Sequence, residues 1–470
     1  MQQTTRSEQV IFILLLLLTV LTAIPYGTVE PWWEATVIIY IFAIFIWRVL
    51  CDAWRGILEW RGKFLILPLL FLALFAYIQS LAIWTQGEPG GEWRAISFDR
   101  EASWFFALKL LSLAIFLELL WRFAATEQHL KTLINVVLGI TAASSLFGIT
   151  KELYLPGLAE FFLPELKTGS GFAQFINRNH FAFLMLMATG LAFGCIIGQK
   201  SRQLKIFYSG ILLVLISGLA LSVSRGGILA FIGEVLFLLL LYSSGIFGRS
   251  SGNKKTASVF RRNGWVIARQ IAISIILFMV ILGGIIWIGD EKMVFRFEKM
   301  PQEVELEEND TSSKRINLWA ATLDLFKEHP AVGVGFGGYK YGISKHFRYS
   351  GRSRFEQAHN DYLELLSSGG IIGTVLAIWF FAAVIKKGRR EIAESSGEVR
   401  AIKLGALTGL AGILIHSFFE FGLHVTFNAL VAMILVAVLT GKFEADENEK
   451  PPEGQLKPRI NTEPPEESEF

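Results

Sequence analysis

Apolar runs of roughly 17–25 residues, each long enough to cross a hydrocarbon core as an α-helix, recur along almost the whole chain. That repetition excludes most folds at once. A helix satisfies its backbone hydrogen bonds within its own segment, so a bundle of such runs is stable in lipid where open sheets and loops are not. Twelve spans are predicted, near 10–28, 34–50, 64–84, 104–124, 131–149, 179–198, 205–223, 226–247, 268–289, 362–385, 402–421 and 426–441. The expected fold is an all-α polytopic membrane protein with about twelve transmembrane helices and a large extracytoplasmic loop carrying short helices. A mean hydropathy of +0.47 agrees with it. The first run resembles a signal peptide in length, but no small-residue cleavage site follows it and many spans do, so it reads as a retained helix. Cys51 and Cys195, the two cysteines, fall in or beside separate spans and read as packed thiols.

Orientation follows from where the cations lie, since the net charge of +3 says little by itself. Arg48, Arg55, Arg61 and Lys63 share one loop; Lys200, Arg202 and Lys205 share another. Arg249, Lys254, Lys255, Arg261, Arg262 and Arg269 crowd a third, and Lys386, Lys387, Arg389, Arg390, Arg400 and Lys403 fill a fourth. All four fall on one side under twelve-span counting, which makes that side, and both termini, cytoplasmic. Loops 29–33, 85–103, 150–178 and 290–361 are then extracytoplasmic. The chain divides into spans one to nine (1–289), an extracytoplasmic loop (290–361), spans ten to twelve (362–441) and a tail (442–470). That tail is too polar to bury a core and is expected to be disordered.

Within the long loop, Ile316, Trp319, Leu323 and Phe326 share a helical face, so Arg315 begins an amphipathic helix that Pro330 ends. Gly333, Gly335, Gly337 and Gly338 follow, a flexible segment whose backbone N–H groups are able to approach a ligand; a surface helix and plain linker is the alternative. His359 is expected in the first turn of the next helix, where the positive end of the dipole disfavours imidazolium and leaves a ring able to accept a proton. A packed histidine is the competing reading. Asn360 and Tyr362 accompany it, and Gly370 and Gly373 are small residues that let another helix approach. Arg225 stands between two spans with almost no loop, where an arginine needs a partner or an aqueous cavity unless it snorkels to the interface. Its fork suits phosphate. Arg178, Asn179 and His180 gather polar groups at the entrance to the sixth span, serving either a sugar or headgroup or the helix cap. His416 and Glu420 share a face by their spacing, with His424 nearby, as a proton-relay or sugar-binding set or a buried pair. The outer loops hold no D-x-D metal pair, and Glu303, Glu305, Glu307 and Glu308 read as a solvated run.

His359-Asn360, nine residues and then Gly370-Ile371-Ile372-Gly373 resembles the histidine motif of the bacterial O-antigen ligase and O-antigen polymerase superfamily at every specified position. Arg315, Trp319, Pro330, Gly333 and Gly335 are similar to the family's approach to that motif; Asn179-His180-Phe181-Ala182 and His416 to Leu430 are softer likenesses. The resemblance runs from about Phe172 to Leu439 and implies an inverting glycosyltransferase without a cofactor. Its donor would be a glycan on undecaprenyl diphosphate. Its acceptor would be a lipid A-core sugar, a growing glycan or a protein hydroxyl, according to whether it acts as ligase, polymerase or protein O-oligosaccharyltransferase. By that likeness Arg225 and Arg315 hold the diphosphate, His359 activates the acceptor, and Arg178, Asn179, His180, Asn360, Tyr362 and Glu420 bind substrate. The resemblance implies a multi-pass bacterial inner-membrane protein, embedded in the lipid bilayer with its site facing the periplasm and no nucleic-acid partner. A transporter of lipid-linked sugar is the reading from another class, and it would place polar residues near the midplane.

Overall fold

A computed structural model describes residues 6–56, 63–85, 93–154, 171–243, 313–347 and 356–444. Helices coincide with eleven of the twelve predicted spans. They are α1 (Arg6–Ala23), α2 (Pro31–Arg55), α3 (Lys63–Ser80), α4 (Arg100–Phe123), α5 (Glu127–Leu153), α6 (Arg178–Gly198), α7 (Arg202–Leu221) and α8 (Arg225–Ser243). After these come α9 (Ser313–Glu328) and α10 (Tyr339–His346), then α11 (Asp361–Glu394), α12 (Gly397–His416) and α13 (Thr426–Thr440). Eight of these are long and apolar enough to cross a membrane, while α1, α3 and α13 contribute shorter apolar stretches. The predicted ninth span, 268–289, and the acidic run Glu303–Glu308 lie outside the described residues. The third predicted span stops at Ser80 rather than 84, and its last residues form β1 (Ala82–Thr85), which pairs antiparallel with β2 (Trp93–Ala95) of the expected outer loop, a small departure from an all-helical chain.

The bundle is built around α6 and α12, which make its most extensive helix contact. Glycines explain how closely they approach. A Cβ on Gly190 would lie 2.3 Å from the Gly409 nitrogen, and one on Gly194 would lie 2.7 Å from the Ala401 carbonyl. Small residues four apart therefore bring two backbones together, which is how helices associate where lipid removes the hydrophobic drive. Near one end of the bundle buried charges are matched by ion pairs. Toward the last turns of α2 and α4, Arg48 bridges Asp52 at 2.9 Å and Glu118 at 3.2 Å, and Arg122 reaches Asp52 at 2.6 Å. Deeper in the bundle, Glu234 of α8 is fully buried and receives the Thr189 hydroxyl at 3.1 and 3.2 Å.

Helix ends depart from the hydropathy pattern where the backbone turns. The first predicted span stops at Ala23, because Tyr26, Gly27 and Thr28 all take positive φ. The eleventh stops at His416 rather than 421, and α11 runs on to Glu394. The expected tail is held at its start, where the Glu444 carbonyl accepts from Glu127 N–H at 3.0 Å and its own N–H donates to the Ala125 carbonyl at 2.9 Å; the rest of that tail lies outside the described residues.

A second, small core lies in the long loop, where Leu318, Ala321 and Leu325 of α9 pack with Val334, Tyr339, Ile343 and Ala358. This corrects the expected face of α9. Leu318, Ala321, Thr322 and Leu325 are buried, whereas Ile316 is 64 % and Leu323 39 % exposed. The chain is apolar at helical spacing on two stripes, and the surface offered by Tyr339 and Val334 selects one of them. Thr322 and Tyr339 close the contact through their hydroxyls at 2.7 Å.

The glycine segment after Pro330 is likewise a packed strap. Val334 and Gly335 N–H groups donate to Ser367 and Ser368 carbonyls, both at 3.0 Å, Phe336 N–H to the Gln79 side chain, and Gly337 N–H to Ser103 Oγ at 3.0 Å. The strap's N–H groups are thus engaged within the fold rather than held out for a ligand. Gly370 interrupts α11 with φ 60° and ψ −163°, and a Cβ there would lie 2.5 Å from the Ala331 carbonyl. What approaches Gly370 is therefore this strap, while Gly373 faces the Phe336 ring of the strap and, as expected of a small residue, a neighbouring helix through Phe75 of α3.

Candidate functional site

His359 stands outside the helix expected to hold it. Asn360 is the N-cap of α11, its side-chain oxygen accepting from Tyr362 and Leu363 N–H, each at 3.1 Å. His359, just before the cap, has φ 49°. A non-glycine residue in the left-handed region stores strain and persists only where its surroundings fix it. Here they do. Ala358 donates its N–H to Glu364 at 2.8 Å and its carbonyl accepts from the Trp319 indole at 3.1 Å. Asp361 N–H donates to the Ser417 carbonyl at 2.9 Å, and Ser417 Oγ returns a bond to the Asp361 carboxyl at 2.8 Å. The turn is clamped from α9, from α11 and from the segment after α12.

The imidazole is then aimed by Glu420. Its Nδ1 lies 2.8 Å from Glu420 Oε1, and the Glu420 side chain is fully buried while that of His359 is 26 % exposed. Glu420 lies in the irregular stretch between α12 and α13, so the helical face it was expected to share with His416 does not exist. Burial pushes the Glu420 carboxyl upward, but the hydrogen bond from His359 and the positive charges of His359, His180 and Arg315 outweigh it and bring it down to about 2. Glu420 is therefore an ionised acceptor, the proton on the ring belongs at Nδ1, and in the neutral ring Nε2 carries the lone pair. Glu420 thus orients His359, which lies before the helix cap rather than in the first turn where the dipole was expected to keep it neutral.

The other carboxylate oxygen of Glu420 accepts from the Asn179 amide. Asn179 Oδ1 in turn accepts from Ser224 Oγ at 2.7 Å, and Ser224 Oγ accepts the Gly227 N–H at 3.2 Å, capping α8. Arg225 is the next residue, the first of α8, and exposed. Arg315, half-buried in the first turn of α9, acts on Glu420 through its charge. Five sequence regions far apart in the chain, around Asn179, Ser224, Arg315, His359 and Glu420, thereby meet at one end of the bundle.

Several expected residues have structural work. Asn360 serves as the cap just described, and the Tyr362 hydroxyl donates to the Leu414 carbonyl at 2.6 Å, tying α11 to α12. Arg178 is exposed at the start of α6, and the hydrogen bonds described do not draw it into the network. His180 is buried with Nε2 unpartnered among the described residues, and its ring stands T-shaped to Phe421 with the centroids 4.8 Å apart. Phe421 also meets His359 at 5.0 Å and His424 at 5.7 Å, so one phenyl ring seats three imidazoles. Phe421 and Ser224 were not singled out in the sequence, since a phenylalanine among 39 and a serine before a helix carry no signal.

A cavity of about 670 Å³ opens against the same face of His359. His180, Phe421 and His424 line it, with Phe105, Phe106 and Lys109 of α4 and Phe336, Tyr339 and Lys340. Neither Arg225 nor Arg315 lines it.

Residues 210–378 match the family model described as O-antigen ligase. The match takes in Arg225, Arg315 and His359, and it ends before Glu420 and begins after Asn179. No curated protein matches the chain.

Proposed function

From a chain whose residues 210–378 place it in the O-antigen ligase superfamily, we propose an inverting glycosyltransferase. It moves a glycan from undecaprenyl diphosphate to an acceptor hydroxyl at the periplasmic face of the bacterial inner membrane. Family membership and the membrane-spanning helices support a lipid-linked glycan transferase in the bilayer. The observation that carries the finer reading is the network from His359 through Glu420, Asn179 and Ser224 to the first turn of the arginine-bearing helix.

His359 Nε2 takes the proton of the acceptor hydroxyl as its oxygen attacks the anomeric carbon, and Glu420 stabilises the imidazolium that forms. Such a positioned base is typically worth about 10²–10⁴-fold. The bond from the anomeric carbon to the diphosphate breaks on the opposite face, inverting the centre. Negative charge gathers on the leaving diphosphate, where Arg225 and Arg315 stabilise it, preorganised cations being most effective where charge develops. The acceptor read here is a lipid A-core sugar, which makes the protein a ligase.

With purified protein and a lipid-linked glycan donor, His359→Ala should reduce transfer by about 10²-fold or more while donor binding persists. A wild-type rate removes His359 from the mechanism. Arg225→Ala and Arg315→Ala should weaken donor binding or slow diphosphate departure, with Lys restoring only part because it lacks the fork. In cells lacking the protein, a ligase leaves lipid-linked polymer accumulating and the lipid A-core bare; accumulation of single repeats would identify a polymerase instead.

A further inference from the structure

We infer that the cavity beside His359 is the acceptor-sugar subsite and that it selects an uncharged or amino-bearing sugar over a phosphorylated or acidic one. The inference rests on the transferase reading and names the side from which the acceptor enters. His359 has two ring nitrogens and one is committed. Nδ1 is held by Glu420, which is fully buried, so the exposed edge of the ring, with Nε2, is the edge that borders the cavity. A hydroxyl that gives its proton to this histidine must stand there. Neither arginine lines the cavity, so the diphosphate they would hold belongs outside it.

The volume lies within the ~300–1,000 Å³ of sites that enclose a drug-sized ligand, so the end of a glycan fits and not merely one hydroxyl. Phe105, Phe421 and the stacked pair Phe106 and Phe336 give the lining an aromatic character suited to the apolar C–H faces of a pyranose.

Charge decides the class of sugar. Both lysines in the lining are already matched: Lys109 binds Glu34 at 2.5 Å and the His424 carbonyl at 2.7 Å, and Lys340 binds Asp99 at 3.2 Å. The remaining acidic groups in the lining are Glu356, which is exposed at the rim, and Glu364, whose carboxyl holds Ala358. His424 adds no cation, since burial and the neighbouring Lys109 charge press its imidazole pKa down. A phosphate or uronate entering here meets the exposed Glu356 carboxylate and two lysines already paired with carboxylates, whereas a hydroxyl or ammonium finds acceptors. Like-charge juxtaposition of this kind excludes wrong ligands more effectively than it attracts right ones.

The test uses full-length protein in nanodiscs and three disaccharides: cellobiose, a glucosamine disaccharide and cellobiouronic acid. Binding is titrated by calorimetry without donor, and transfer to each is followed with a lipid-linked donor. The first two should bind at least about tenfold more tightly than the uronate; Phe105→Ala should weaken them about tenfold with donor affinity unchanged, and Glu356→Lys should narrow the preference about tenfold. Equal or tighter binding of the uronate to wild-type protein overturns the charge selection. Transfer that proceeds with sugar affinity indifferent to Phe105→Ala overturns the cavity assignment and leaves the transferase reading standing. Sugar binding that responds to Phe105→Ala without any transfer overturns the transferase reading and leaves a sugar site. Absence of both overturns both.

Discussion

At the scale of single residues, the pairing of His359 with Glu420 sets the chemistry, and Glu420 is the residue to perturb. Glu420→Gln keeps the shape but loses the charge that stabilises imidazolium and the acceptor that keeps the proton on Nδ1. Its kcat should fall at least about tenfold with donor affinity unchanged, because the group acts through His359 and touches no phosphate. An unchanged kcat would mean that the helix end alone orients the ring. Acid stability supplies an independent check. The carboxyl is held to about 2, below the ordinary ~4.3 of a glutamate in an unfolded chain. A depressed acid stabilises the fold above its unfolded pKa, and that stability drains as pH falls toward the folded value. Between about pH 4.5 and 2.5, Tm should therefore fall less steeply in Glu420→Gln than in the wild type. Parallel curves would contradict the charged pairing. The sequence pointed to both residues, but for Glu420 through a helical spacing that the chain does not adopt.

At the scale of elements, α9 shows where pattern reading stops. The helix, its arginine at the first turn and its end before Pro330 were all legible, since they depend on local spacing. Which apolar stripe is buried depends on the partner, and Tyr339 and Val334 bury Leu318 and Leu325. Leu325→Ala should cost about 2–5 kcal/mol of stability in this local core, whereas Ile316→Ser should stay within about 0.5 kcal/mol. Limited proteolysis of the two variants separates the outcomes, and faster cleavage of Ile316→Ser would reverse the assignment. The same helix holds the catalytic turn through the Trp319 indole on Ala358, so looseness there should also lower turnover.

At the scale of the whole molecule, the bundle keeps its functional groups at one end and a matched ion cluster toward the other. Glu234 is a buried polar group deeper in the bundle, but it is satisfied by Thr189, as a packing residue is. The proposed topology puts the site in the periplasm and the far end of α11 in the cytoplasm. With Cys51 and Cys195 replaced by serine, Ile316→Cys in intact spheroplasts should react with an impermeant thiol reagent. Arg390→Cys, exposed near the other end of α11, should react only after lysis. The reverse pattern would turn the protein over and remove the periplasmic reading.

Length and polarity of each run are local quantities, so the sequence by itself determined that this chain is a helical membrane protein, roughly where its spans lie, and which arginines and histidine stand at their ends. Registration between spans is not local. Only the tertiary structure decided that Glu420, Asn179 and Ser224 join His359 to the helix of Arg225, that His359 sits in a strained turn before its helix, and that glycines expected to be free are packed as a strap. The reason is that hydrophobic periodicity specifies which side of a helix avoids water or lipid, while a hydrogen bond between distant segments requires both to be placed by everything packed around them.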